Sequence, residues 1–230
     1  MVVSLISPYK GSLVDLLVPA SQRDQVESEA NQLPSLTLSV RQLCDLELLA
    51  TGAFSPLRGF LGQADYEGVV KDMRLADGTL WPIPITLTTD AFGPEIVGHS
   101  IALRDRHNRI VATLDVTECY AWDLDAEAQH VFGTTDKKHP LVAEMHGWGK
   151  NCLAGELKVV HLPDHYDFKE LRRTPAETRE LLSKTGRENV VAFQTRNPLH
   201  RAHEELTKRA MESIDGALMI HPVVGLTKPG

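Results

Sequence analysis

Along the first two-thirds of the chain, short apolar runs alternate with polar connections, and their spacing shifts between helical and strand-like periods. Ser39-Val40-Arg41-Gln42 has the capping-box pattern, in which the Ser39 hydroxyl takes a first-turn N–H and Gln42 reaches back to the cap. This predicts a helix that ends at Gly52, a residue suited to the left-handed turn beyond a last helical carbonyl. Ala53 to Leu61 reads as a loop, and Asp65 as the cap of a short helix running to Arg74. Pro82-Ile83-Pro84-Ile85-Thr86-Leu87-Thr88 is β-branched but interrupted by proline, which predicts an edge strand or a strand start. Ser100 to Leu103 and Arg109 to Leu114 flank a polar connection and predict a hairpin; Glu156 to Val160 predicts a closing strand. Residues 1–168 are therefore expected to form an α+β domain around a bent sheet or small barrel.

From residue 169 the rhythm changes. Thr174-Pro175-Ala176-Glu177 combines a threonine cap, proline at the first helical position and glutamate three residues after the cap. The helix is expected to end at Gly186. Asn189 to Phe193 then reads as a buried parallel strand, about Pro198 to Ser213 as a second helix, and Ala217 to Ile220 as a second buried strand. Helix, strand, helix, strand is the opening of a doubly wound α/β domain. Two strands make half a mononucleotide fold at best, so the expectation is a fragment, or a sheet completed by strands from elsewhere.

Ligands of open α/β sheets bind beyond the carboxyl ends of strands. Here that position holds Gln194, Thr195, Arg196 and Asn197, followed by a helix start with unpaired N–H groups and a positive dipole end. The Arg196 guanidinium matches sulfate or phosphate oxygens. His200 and His203, three apart, are expected on one helix face. The helix dipole disfavours protonation of these rings when the site is empty, and a bound polyphosphate favours it. With no third ligand in view, no metal ligands are assigned. The constellation predicts a phosphate-handling site.

The net charge of −7 argues against a broad nucleic-acid surface but leaves room for a small cationic pocket. Cys44, Cys119 and Cys152 are odd in number and widely spaced, and are expected as buried free thiols in a reducing compartment. No apolar run reaches the length of a membrane span, and the N-terminus lacks a basic start, so a cytoplasmic location is expected.

Gln194-Thr195-Arg196-Asn197-Pro198-Leu199-His200-Arg201-Ala202-His203 resembles the signature of the sulfate adenylyltransferases (ATP sulfurylases), which contains QxRN and HxxH. Gly52-Ala53-Phe54-Ser55-Pro56-Leu57, Gly59-Phe60-Leu61, Met73-Arg74-Leu75, Val131-Phe132-Gly133-Thr134 and His221-Pro222-Val223-Val224-Gly225 extend the resemblance over most of the chain. It implies a PUA-like β-rich N-terminal domain (1–168) followed by the start of a Rossmann-like nucleotidyltransferase α/β domain (169–230). It also implies a transferase of sulfate assimilation that joins sulfate to the α-phosphate of ATP and releases pyrophosphate.

By position, Gln194 and Arg196 would bind sulfate, while Gln194, Asn197, His200 and His203 would bind ATP. Thr195, Arg196, Asn197, His200 and His203 would form the catalytic group. Mg²⁺ would arrive with ATP, with no protein-bound metal. The implied partners are ATP, sulfate and pyrophosphate, without nucleic acid or membrane; a homo-oligomer is compatible. The family's second motif, Gly-Arg-Asp-His, does not occur in this sequence, so the chain by itself is expected to be inactive. A downstream adenylylsulfate kinase is compatible with the resemblance. Two other readings stay open: another HxxH nucleotidyltransferase, and a non-catalytic PUA-like binding module.

Overall fold

The computed structural model describes residues 3–223. They divide into two units, one of Leu13–Lys169 and one formed by the described residues before Leu13 and from Glu170 onward.

The first unit runs α1 (Arg23–Ala30), β1 (Ser35–Thr37), α2 (Val40–Ala50), α3 (Gln63–Asp72), β2 (Leu87–Thr89), β3 (Ser100–Arg104), β4 (Ile110–Ala121), α4 (Leu124–Glu127), α5 (Pro140–Met145) and β5 (Asn151–Val159). Five strands form one sheet in the order β1-β3-β4-β5-β2, parallel between β1 and β3 and antiparallel elsewhere. The expected β3–β4 hairpin is present. The long β4 slips register between Val116 and Glu118, opposite Gly155. A Cβ on Gly155 would stand 2.0 Å from the Asp115 carbonyl oxygen, so only glycine lets the bulged strands approach this closely. The bulge bends the sheet around a core that includes Leu46, Leu49, Leu87, Ile101, Leu114 and Leu153.

The helix α2 begins as its sequence dictates. Gln42 N–H donates to Ser39 Oγ at 3.2 Å, and Ser39 N–H donates to Gln42 Oε1 at 2.9 Å. Gln42 is then buried and spends its amide on the Thr88 carbonyl at 2.8 Å, fastening the helix to β2. Gly52 takes the positive φ of +82° expected beyond the helix end.

Several expectations are corrected. The Pro82–Thr88 strand shrinks to Leu87–Thr89, because Pro82 and Pro84 have no N–H to give a ladder. Asp65 lies inside α3 rather than at its cap; its carboxylate accepts the Ala76 N–H at 2.8 Å, and Gly62 holds the cap position. The closing strand begins earlier, at Asn151. Of the three thiols only Cys152 is buried; Cys119 is half-buried and Cys44 exposed. Burial pushes the Cys152 thiol up to about 12, partial burial raises Cys119, and partial desolvation together with the Glu47 and Asp45 charges raises Cys44, so none is poised as a thiolate.

The second unit contains α6 (Pro175–Ser183), β6 (Val190–Thr195), α7 (Arg201–Ser213) and β7 (Ala217–Pro222). Residues at the start of the chain belong to it: the Val3 N–H donates to the Ser183 carbonyl, and Arg179 donates to the Ile6 carbonyl. The capping box at Thr174 and Glu177 forms as expected. Strands β6 and β7 pair in parallel, Val190 with Ala217 through Thr195 with Pro222. Asn189 fixes this register twice, accepting the Ala217 N–H at 2.9 Å and donating its side-chain amide to the Ile214 carbonyl at 2.8 Å. The strands are not buried as expected. No β6 residue is fully covered, and Ile220 is 45% exposed, because a two-stranded sheet with one helix against it cannot cover both faces.

Candidate active site

The stretch from Gln194 to His203 leaves the end of β6, crosses a loop and enters α7. Thr195 organises the exit. Its Oγ1 accepts the Asn197 N–H at 3.1 Å and donates to the Asn197 carbonyl at 2.9 Å, closing a tight turn on the strand end. Its own carbonyl accepts the Val223 N–H at 2.8 Å, which ties the turn to the neighbouring strand.

The helix starts later than its sequence suggests. Pro198 lies in the loop, and α7 begins at Arg201 with His200 in the cap position. Proline at 198 therefore shapes the approach to the helix and does not open its first turn. His200 and His203 consequently stand at the cap and the third helical position, with ring centroids 5.5 Å apart and planes tilted by 40°. The His200 N–H donates to His203 Nδ1 at 3.2 Å. An imidazole that accepts on Nδ1 carries its proton on Nε2, so His203 presents an Nε2–H donor. The Phe193 ring, 5.7 Å from the His203 ring, supports it from β6.

Arg196, Asn197, Leu199 and His200 are exposed, and His203 is half-buried. Among the described residues the Arg196 guanidinium and the Gln194 amide have no side-chain partner. A guanidinium with no carboxylate partner, on the loop that leads into a helix start, is an anion-seeking arrangement. The fold thus brings Thr195, Arg196, Asn197, His200 and His203 to one strand-to-helix crossing. Strand alternation turns Gln194 to the sheet face opposite Thr195 and Phe193, so Gln194 approaches the crossing from the other side. One neighbour that motif spacing does not reveal is His221, the partner of Gln194 across the ladder; aligning the two apolar runs as parallel strands would have found it.

The Leu13–Lys169 unit has a cavity of about 760 Å³ lined by Leu57, Arg58, Phe60, Asp65, Asp77 and Glu156 among others. Its carboxylates outnumber its single arginine, which suits no polyphosphate, and it contains none of the Gln194–His203 residues. Among the described residues no group of three or more His, Cys, Asp or Glu is arranged to hold a metal ion, and no helix is long and apolar enough to cross a membrane.

Residues 6–162 match the family described as PUA-like domain, and residues 169–230 match ATP-sulfurylase. A sulfate adenylyltransferase of Chaetomium globosum is 51% identical over 231 residues, covering 97% of this chain and 40% of the relative. That of Mycosarcoma maydis is 48% identical over the same shares, and that of Eremothecium gossypii is 46% identical over 98% of this chain and 46% of its own length. A solved structure titled hexameric APS kinase from Thiobacillus denitrificans aligns with a TM-score of 0.78 at 37% identity, covering 97% of this chain and 40% of that one. The chain thus spans less than half the length of these relatives.

Proposed function

Because the chain belongs to the sulfate adenylyltransferase family, as an N-terminal portion made of a PUA-like domain and an ATP-sulfurylase segment, we propose that it supplies the sulfate and polyphosphate contacts of a site that makes adenosine 5′-phosphosulfate. The boundary between the two parts is proposed near residue 168, between the two matched segments. The observation that carries the reading is a strand-to-helix crossing that holds Arg196, without a side-chain partner among the described residues, and the neighbouring rings of His200 and His203.

Gln194 and Arg196 hold sulfate. Asn197 lies against the α-phosphate, and His200 and His203 donate to the β- and γ-phosphates of Mg²⁺-bound ATP. A sulfate oxygen attacks the α-phosphorus. The new P–O bond forms as the bond to the β-phosphate oxygen breaks, and that electron pair leaves on pyrophosphate. Sulfate is already ionised, so no base is needed, and the Gln194–His203 stretch contains no Asp or Glu to act as one. Catalysis then comes from in-line placement and from donors aimed at the charge that develops on the leaving group. Each such donor is worth about 3–4 kcal/mol of barrier. His203 is suited to the task because the bond it accepts on Nδ1 from the His200 N–H holds the ring and leaves Nε2–H as its donor. ATP binding, a cytoplasmic location and a homo-oligomer belong to the same proposal, the last favoured by the hexameric solved relative.

The test is a chimera in which this chain replaces the matched 40% of the Mycosarcoma maydis relative. It should release pyrophosphate from Mg·ATP only when sulfate is present. Release that requires a phosphopantetheine or mononucleotide acceptor instead would overturn the reading in favour of another nucleotidyltransferase. Tight RNA binding that weakens steeply with salt, without pyrophosphate release, would make the chain a binding module.

A further inference from the structure

The β6–β7 ladder sets Gln194 directly beside His221. Parallel partners sit about 4.8 Å apart and project to the same face of the sheet. One face therefore carries Val190, Ala192 and Gln194 with Ala217, Met219 and His221; the other carries Val191, Phe193 and Thr195 with Leu218, Ile220 and Pro222. The helix α7 lies on the second face, where the Phe193 and His203 rings meet. Gln194 and His221 thus stand together on the first face, at the carboxyl ends of adjacent parallel strands. Both are exposed, and neither has a side-chain partner among the described residues. The Ala192–Met219 pair lies one step behind them on the same face, and the short side chain of Ala192 leaves the space behind Gln194 open.

We infer that His221 is a further substrate-binding residue, whose imidazole donates to the same sulfate dianion as Gln194. The inference rests on the proposed placement of sulfate at Gln194 and Arg196. A carboxamide offers two N–H donors but no charge, whereas an imidazole donates when neutral and gains a positive charge when a dianion stands beside it. Two donors rooted about 4.8 Å apart on neighbouring strands can take two oxygens of one tetrahedral ion, which a single side chain does less rigidly. The division between the faces also matches the chemistry. An in-line displacement needs nucleophile and leaving group on opposite sides of the reacting phosphorus. Gln194 and His221 hold one side of the sheet end, while His200 and His203, on the α7 side, hold the other. The same division argues that His221 serves sulfate and not the ATP phosphates.

The experiment follows the imidazole NMR signals of this chain while inorganic sulfate or Mg·ATP is added separately, with His221→Ala and Arg196→Ala variants alongside. Sulfate should shift the His221 ring, and His221→Ala should weaken sulfate binding about tenfold, the usual loss for a hydrogen bond to a charged group. Melting temperatures of the variants report that the exposed substitution has left the fold intact. If His221→Ala binds sulfate within about twofold of the parent while Arg196→Ala does not bind it, the inference fails and the proposed function stands. A His221 ring that responds to Mg·ATP alone also overturns it. If sulfate moves neither His221 nor any signal lost in Arg196→Ala, the sulfate placement fails and takes this inference with it.

Discussion

The backbone N–H of His200 and the Nδ1 of His203 face each other at 3.2 Å, so one candidate catalytic ring also caps the helix that carries it. Fold and function are then separable by choice of substituent. His203→Ala in the chimera should lose about 10²–10³-fold in the rate of pyrophosphate release, as for a removed oxyanion donor. It should also lose about 1 kcal/mol of stability with the cap. His203→Asn keeps an acceptor near the Nδ1 position and removes Nε2–H. Its melting temperature should stay close to that of the parent while its rate falls as far as that of the alanine variant. Equal melting temperatures for the two variants would show that the cap contributes nothing.

Arg196 has no partner to lose within the described fold. Arg196→Ala should therefore leave stability within about 0.5 kcal/mol, the range of surface substitutions. Its pyrophosphate release should fall by about 10²-fold or more. Arg196→Lys should recover little, since an ammonium cannot reproduce the planar two-pronged contact with an oxyanion. Thermal melts and rates at saturating and limiting sulfate separate these effects.

Glu127 provides the clearest pH dependence. It is 5% exposed, and burial raises its pKa above the ordinary glutamate range, although Trp122 Nε1 donates to its Oε2 at 2.7 Å and opposes the rise. The folded state therefore holds this proton more tightly than the unfolded state does. Its contribution is favourable below the unfolded pKa and is lost as pH rises through the window up to the folded pKa. Asp45, also raised by burial, acts in the same direction. Glu127→Gln keeps an acceptor for Trp122 and removes the charge. Urea unfolding of the variant across that window should show a smaller fall in stability with pH than the parent, and an unchanged slope would count against this account.

Gly149 marks a backbone crossing of the same kind as the β4 bulge. A Cβ there would stand 2.0 Å from the Thr89 carbonyl carbon. Gly149→Ala should destabilise the protein by about 1–3 kcal/mol or more, the usual cost of forced overpacking. Gly78→Ala has open space around its added methyl but must adopt a φ of +83°, so its cost should be smaller and of conformational origin. Denaturant midpoints of the two variants test the ranking.

Local rules made much of this molecule legible. The boxes at Ser39 and Thr174 predicted helix starts because their chemistry is complete within four residues. The β3–β4 hairpin was visible because strand, turn and strand are contiguous. What escaped depends on distant residues. The parallel pairing of β1 with β3 joins Ser35 to Ala102, and no local pattern encodes that. Proline at 198 suggested a helix start, but the Thr195 turn and the His200–His203 cap bond set the boundary three residues later. The candidate site residues are contiguous, so their grouping could be read directly. The opposite facing of Gln194 and the approach of His221 needed the ladder register.

The half-covered β6–β7 pair has a consequence for how this unit meets its ligands. Strands with little apolar cover open at low free-energy cost, so the β6–β7 amides are expected to exchange with solvent sooner than those of the better-buried β5. An anion that bridges the two strand ends would bind the closed pair and not the opened one, and so would tighten it by mass action. For such an anion, affinity and order would be a single equilibrium, with the bound ion as a removable clasp.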